Sequence, residues 1–347
     1  MNTAVHAVLK NSPDALVIKQ AAEIIRRGGL VAFPTETVYG LGADGTRDDA
    51  AHAIYRAKGR PADNPLILHI ADPTEAEKYT YVSPLYEKLA NAFMPGPLTV
   101  IMSAKETVPL SVRASLPTVA VRCPSHPVAQ ALIRASGTAI AAPSANLSGS
   151  PSPTCARHVY DDMQGRIDMI LDGGDCDIGL ESTIVKILDD QTMLLLRPGA
   201  ITVEQLSKFG DVQIADAVKG ALKEGQVAES PGMKYKHYAP KAELILLKGD
   251  DNARQNYILS QTDRSIAVLC YHEELSLYAA HIPEDRLFDL GEADDVPTHC
   301  NRLFRLLRQS DLSNVTRIFA PLPLAEGMGL ALYNRMIRAA AHRITEI

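Results

Sequence analysis

The chain has 347 residues, 46% of them hydrophobic, and a formal net charge of −6. This length exceeds one ordinary hydrophobic core and predicts two domains, and the acidic balance excludes nucleic-acid binding through bulk charge, leaving room only for a local basic patch. Tryptophan is absent and the five cysteines, at 123, 155, 176, 270 and 300, form no CxxC pair, which argues against a base-stacking platform, a disulfide framework and a structural zinc site. The histidines show no HxxxH or HExxH spacing. No basic segment followed by an apolar core opens the chain, and no apolar run reaches membrane-span length, so the expectation is a reduced cytoplasmic protein without a membrane segment or a transition-metal cage.

In chain order, Asp14 to Arg27 reads as an amphipathic helix ended by Gly28-Gly29. Leu30 to Phe33 is a buried strand that Pro34 stops, because proline offers no ladder donor. The stretch PTETVYGLGADG follows. It sets the hydroxyls of Thr35, Thr37 and Tyr39 around Glu36, and Gly40 and Gly42 are expected to make tight turns or admit a bound group. Asp48 to Lys58 is the next helix, with Thr46 as its expected cap, and the KGRP segment then places Lys58 and Arg60 on either side of Gly59. Hydroxyls and small residues at a strand end, with cations close by, suit an anionic ligand. A lysine at a helix C-terminus also suits the helix dipole without any ligand.

A strand is expected over Leu66 to Ile70, with His69 near its end, then short helices at Pro73–Lys78 and Ser83–Ala92. Strands follow at Leu98–Met102 and Thr118–Val121. The second ends in Arg122, a cation that cannot be buried without an anion from the fold or from a ligand. Ser125 is the expected cap of a helix reaching Ser136. After a small-residue strand, Ala139–Ala142, the loop Pro143–Thr154 gathers Ser144, Asn146, Ser148 and Ser152, a composition that fits either a phosphate or sugar cradle or a surface linker. A strand at Ile167–Leu171 and a hairpin of Ile184–Leu188 with Met193–Leu196 come next, the hairpin ending in Arg197. A short helix is expected over Thr202–Phe209.

Beyond Gly210 the periodicity weakens, and ESPGMKYKHYAPK (229–241) reads as an interdomain linker rich in cations and tyrosines. The last hundred residues alternate strands (243–247, 266–270, 286–290, 317–320) with helices (252–260, 296–307, 330–343). That rhythm predicts a small parallel sheet with helices on its faces. No GxGxxG follows the first strand of this last segment, and no GxxxxGK[ST] or GxSxG is present, so a dinucleotide site there and P-loop and serine-hydrolase chemistries are not supported.

Taken together and in order, PTETVYGLG, KGRP, the PSAN-SG loop, ESTIV and SPGMKYKHYAP resemble the threonylcarbamoyl-AMP synthase family in its longer, two-domain branch, over nearly the whole chain. The resemblance implies a YrdC-like catalytic domain over residues 1–209, a twisted and mostly parallel α/β sheet around a concave cavity. It also implies a linker or lid over 210–241 and a small Rossmann-like α/β domain over 242–347. The implied reaction takes L-threonine, bicarbonate and ATP to threonylcarbamoyl-AMP and pyrophosphate, for threonylcarbamoyladenosine modification of tRNA by a downstream transfer machinery. By the same resemblance, Thr35, His69, Arg122, Ser182 and the backbone near Ala142 hold L-threonine. Lys58 and Arg60 are catalytic and, with Asn64, contact the ATP phosphates. Thr118, Ser144, Asn146, Ser152 and Arg197 complete the nucleotide site, and Tyr235, His237 or Tyr238 reach back from the linker. A Mg²⁺ ion is expected on the phosphates, with no protein metal site. The rival reading is a non-catalytic double-stranded-RNA-binding protein, because cations at strand ends also suit a phosphate backbone. A carbamoyl-transfer domain of the hydrogenase-maturation type is disfavoured by the unpaired cysteines.

Overall fold

The computed structural model describes residues 2–220, 238–263 and 265–347. The chain divides into two compact units, Met1–Ser148 with Ser152–Tyr235, and Gly149–Pro151 with Lys236–Ile347.

Among the described residues, the first unit holds eleven strands: β1 (Ala4–Ala7), β2 (Val31–Phe33), β3 (Gly40–Asp44), β4 (Ile67–His69), β5 (Leu98–Ser103), β6 (Thr118–Arg122), β7 (Ile140–Ala141), β8 (Met169–Asp172), β9 (Thr183–Ile187), β10 (Thr192–Arg197) and β11 (Asp211–Ile214). They form one sheet in the order β1-β8-β2-β3-β7-β4-β6-β5-β9-β10-β11. The sheet is mixed rather than mostly parallel: β2-β3, β3-β7, β7-β4, β6-β5 and β9-β10 pair antiparallel. The helices are α1 (Ala15–Arg26), α2 (Asp48–Lys58), α3 (Pro84–Phe93), α4 (Pro127–Ser136), α5 (Ala156–Met163), α6 (Val203–Leu206) and α7 (Asp216–Lys219). The apolar stripe of α1 (Ile18, Ala21, Ala22, Ile25) meets Val128, Ala129, Leu132 and Ile133 of α4 and the β-side residues Phe33 and Leu171 in one core. Each fully buried Ile or Leu there contributes roughly 1.5–3 kcal/mol. Asp14 caps α1 through the amides of Leu16 and Val17.

The structure departs from the sequence expectations at several points. Gly40 and Gly42 make no turn; they are strand residues of β3, paired with Phe33 and Val31 of β2. Close packing explains them, since a Cβ on Gly42 would lie 2.7 Å from both the Phe33 ring and Ile140. Thr46 does not cap α2. Its amide and hydroxyl both bond Asp44 Oδ1, and Asp48 and Asp49 supply the negative charge at that helix start. His126, not Ser125, caps α4, with Pro127 in the first helical position. Residues 211–220, expected as the opening of the linker, instead form β11, parallel to β10, and α7. β11 is a largely exposed edge strand, so its apolar pattern is weak. β1 and α5 were not anticipated.

The second unit has β12 (Glu243–Lys248), α8 (Asp251–Leu259), β13 (Ile266–Cys270), α9 (Leu275–Ala279), β14 (Leu287–Asp289), α10 (Val296–Ser310), β15 (Arg317–Pro321), α11 (Gly329–Ala339) and β16 (Ile344–Glu346). Its sheet runs β14-β13-β15-β12-β16 and every pairing is parallel. Leu247, Ile258, Val268, Tyr278 and Phe319 centre its core. The last helix ends at Ala339 rather than Arg343, and the following residues add β16 beside β12. Among the described residues no helix is long and apolar enough to cross a membrane.

Candidate active site

Residues 30–45 are buried without interruption, although 34–39 is a loop between two strands. A buried loop must satisfy its own polar groups. Thr35 does much of this. Its hydroxyl donates to the Val38 carbonyl (2.6 Å), accepts from the amides of Thr37 and Val38, and lies 2.8 Å from Thr37 Oγ1. The carbonyls of Glu36 and Thr37 accept from the amides of Ile178 and Gly179, which ties the loop to the segment before β9.

Register then places a row of polar side chains across the sheet. His69 on β4 pairs with Arg122 on β6, Arg122 with Thr99 on β5, Thr99 with Ile184 on β9, and Ile184 with Arg197 on β10. Residues directly opposite in a ladder face the same side, so His69, Arg122 and Thr99 share one face; the register shifts between Leu195 and Arg197, and Arg197 is tied to that face through Ser182. Ser182 closes the row. Its hydroxyl lies 2.8 Å from Thr99 Oγ1 and accepts from Arg197 Nη2 (3.1 Å), while its carbonyl accepts from Arg197 Nε (3.0 Å). Ala142, at the end of β7, donates its amide to the Ile67 carbonyl of β4. His69 is fully buried, set edge-on to the Phe33 ring, with Nδ1 3.1 Å from the Ile67 carbonyl. Burial first, and the Arg122 charge second, push its pKa down to about 3, so the imidazole is neutral.

The anion that Arg122 requires comes from the fold. Glu36 Oε1 lies 2.8 Å from Arg122 Nη2, and both side chains are at most 6% exposed. The contact is short but poorly aligned. Both Glu36 oxygens and the Arg122 Nε and Nη2 lack a hydrogen-bond partner.

A second group of expected residues gathers around α2. Gly59 ends that helix in the left-handed region (φ 61°). The Lys58 ammonium turns inward and donates to the carbonyls of Ser144 and Asn146, both at 2.5 Å. Arg60 donates to the carbonyls of Asn64 and Pro65. Lys58 and Arg60 are therefore buried rather than solvated. The buried Asn64 Oδ1 has no hydrogen-bond partner. In the serine-rich loop, Ser144 Oγ donates to Asn146 Oδ1 (2.5 Å), and Ser152 Oγ donates to Glu181 Oε1 (2.5 Å), one residue before Ser182. The PSAN-SG loop is thus bonded both to Lys58 and to the edge of the row.

One expected residue of the first unit stands apart. Thr118 is half-buried at the other end of β6, four residues from Arg122, about 13 Å along a strand but on the same face. The buried Tyr238 ring packs on Phe304 of α10 (5.1 Å) and under Arg335 of α11, within the second unit. Tyr235, His237 and most of the expected lid lie outside the described residues. Sequence reasoning missed Thr99 and Glu181 and gave Glu36 no role. The one available signal was an acidic residue inside an otherwise buried run.

Two family models cover most of the chain. The Sua5/YciO/YrdC model, described as "Telomere recombination", matches residues 23–199, and the model described as "Threonylcarbamoyl-AMP synthase, C-terminal domain" matches 201–341. The threonylcarbamoyl-AMP synthase of Bacillus subtilis is 45% identical, with 94% of each chain covered. That of Pyrococcus abyssi is 42% identical over 95% of this chain and 96% of its own. The crystal structure of Pyrococcus abyssi Sua5 complexed with L-threonine superposes with a TM-score of 0.91 at 40% identity, covering 99% of this chain and all of that one. Fold, site and relatives together define an ATP-using transferase with a YrdC-like domain followed by a second α/β domain. More narrowly, the chain belongs to the threonylcarbamoyl-AMP synthase family. These relatives do not favour the RNA-binding alternative.

Proposed function

We propose that the sheet face and the α2 loops form one site that joins L-threonine, bicarbonate and ATP into threonylcarbamoyl-AMP and pyrophosphate. Threonine and ATP follow from the family's synthase activity. Bicarbonate, the cytoplasmic location, direct RNA contact and a downstream tRNA-threonylcarbamoyl transfer machinery are part of the proposal.

The observation that carries this reading is the cross-sheet row. It runs from neutral His69 on β4 and Arg122 on β6 across Thr99 of β5 to Ser182, just before β9, and Arg197 on β10, with the Lys58-bound loop tied to it through Ser152 and Glu181. In the proposed assignment Arg122 takes the threonine carboxylate, and Thr35, His69, Ser182 and the Ala142 backbone hold the rest of that substrate. Lys58, Arg60 and Asn64 meet the phosphates, with Ser144, Asn146, Ser152, Thr118 and Arg197 along the nucleotide. The neutral amine of threonine attacks the bicarbonate carbon, water leaves, and an N-carboxy-threonine anion forms. One carbamate oxygen then attacks the α-phosphorus of ATP and pyrophosphate departs.

No protein nucleophile is needed. The protein's task is to bring two anions together and to stabilise charge on the phosphoryl oxygens, by positioning and by oriented cations and donors. Among the described residues no three His, Cys, Asp or Glu side chains are grouped to hold a metal. A Mg²⁺ ion carried by the ATP phosphates, where it would neutralise the leaving pyrophosphate, is part of the proposal.

Mass spectrometry tests the proposal. Threonylcarbamoyl-AMP is expected only when threonine, bicarbonate and ATP are all supplied, and formation with any one of them omitted would overturn it. A salt titration of RNA affinity beside pyrophosphate release separates catalysis from RNA binding without turnover.

A further inference from the structure

The geometry points to Glu36 as a positioning residue that selects the amino-acid substrate: paired with Arg122, it fixes that guanidinium for a zwitterion's carboxylate and denies the spot to simple anions. This rests on the assignment of Arg122 to the threonine carboxylate.

Three observations carry it. Glu36 and Arg122 touch at 2.8 Å in a buried setting, yet both carboxylate oxygens and two guanidinium nitrogens lack a hydrogen-bond partner. Buried polar groups are ordinarily satisfied, so this pair keeps capacity in reserve for a ligand. The Glu36 backbone is also clamped, its carbonyl to the Ile178 amide and its loop closed by Thr35, so the carboxylate is held where it meets Arg122. Finally, the proposed site must accommodate a triphosphate, a bicarbonate and a carboxylate close together. A lone buried guanidinium binds phosphate strongly and without regard to which anion carries it. With Glu36 beside it the local charge is zero, and a bare anion gains little. A zwitterionic amino acid brings its own cation, so its arrival leaves the charges balanced.

The test uses the full-length enzyme and inorganic phosphate as an inhibitor competing with threonine. In Glu36→Gln, nearly the same in shape but uncharged, the ratio of the phosphate inhibition constant to the threonine KM falls about tenfold or more, while the ATP KM stays within about twofold. Glu36→Asp keeps the charge and returns the ratio towards the wild-type value. An unchanged ratio in a folded Glu36→Gln protein overturns the inference. Arg122→Gln separates the two levels. If it leaves the threonine KM unchanged, the assignment of Arg122 is wrong. If it raises that KM while Glu36→Gln leaves the ratio alone, only the role of Glu36 is wrong. Should Glu36→Gln not fold, the wild-type enzyme decides with 2,3-dihydroxybutanoate, which is threonine with a hydroxyl in place of its ammonium. That anion is expected to compete about a hundredfold less well than threonine binds, and equal competition overturns the inference.

Discussion

Among the described residues, each unit buries an arginine–glutamate pair, Arg122–Glu36 in the first and Arg254–Glu274 in the second, and the two pairs differ in completeness. In the second unit Arg254 donates to Glu274 (2.7 Å) and to Asp251 (2.9 Å) and stacks over Tyr271. Glu274 also accepts from the Tyr271 amide (3.1 Å) and from Gln255. In the first unit Arg122 and Glu36 are as close and as buried, but the oxygens of Glu36 are not hydrogen-bonded. Burial of an ion pair therefore does not identify a site. The two differ in the carboxylate: both Glu274 oxygens are hydrogen-bonded and neither Glu36 oxygen is, whereas each arginine has a buried Nε without a partner.

The largest effect expected from this contrast is on stability in the second unit. Glu274→Ala leaves Arg254 largely uncompensated and should cost about 3–5 kcal/mol. The shift of the urea midpoint reads this, and a loss below about 1 kcal/mol would count against a structural role for the Arg254–Glu274 pair. Next comes activity. Arg122→Gln should lower the kcat/KM for threonine by roughly 100-fold or more, the scale of one lost donor to a reacting anion, while Arg254→Gln, in enzyme that has stayed folded, changes it by less than about twofold.

Acid should then act through His69 and His272, one in each unit, with opposite sign. His69 is held near 3, and burial also pushes His126 down to about 4, against roughly 6.5 in the unfolded chain. Between those values the unfolded chain takes up protons that the folded one refuses. First-unit stability thus falls as pH drops below about 6.5, by about 1.4 kcal/mol per unit for fully buried His69. In the second unit Asp289 raises the pKa of exposed His272, a contribution present below about 6.5 and lost as pH rises through the raised value. Urea midpoints of wild type and His69→Asn from pH 7 to pH 5 check this, and equal slopes would count against a neutral His69. The smallest effect is local: Asp14→Ala should cost about 1 kcal/mol through the lost cap of α1, with kcat unchanged.

Long apolar elements were legible in the sequence. Helices such as α1, α4 and α10 and strands such as β5, β6 and β13 sit within a few residues of their expected places, because their periodicity reflects burial directly. β3 was hidden. Its glycines read as turn chemistry, whereas they make room for Phe33 and Ile140 across the sheet, a constraint set by residues far away in sequence. Edge strands β1 and β11 bury too little to leave a pattern. Within the site the residue types were readable, but the row was not. That His69, Arg122 and Thr99 share one face depends on register, and register is a property of strand pairing rather than of any single segment. Arg122 was recognised as needing an anion, yet nothing local named Glu36, eighty-six positions earlier, as its source.

The strand order has a consequence for synthesis. The central strands β7-β4-β6-β5-β9 are neighbours in the sheet but are drawn from residues 67 to 187. A nascent chain that has emerged only as far as α4 already carries His69 and Arg122, but lacks β7, which pairs with both β3 and β4, and β9, which borders β5. The candidate site is accordingly among the last parts of its domain to close on the ribosome, and until then its cations are exposed to the anions of the cell.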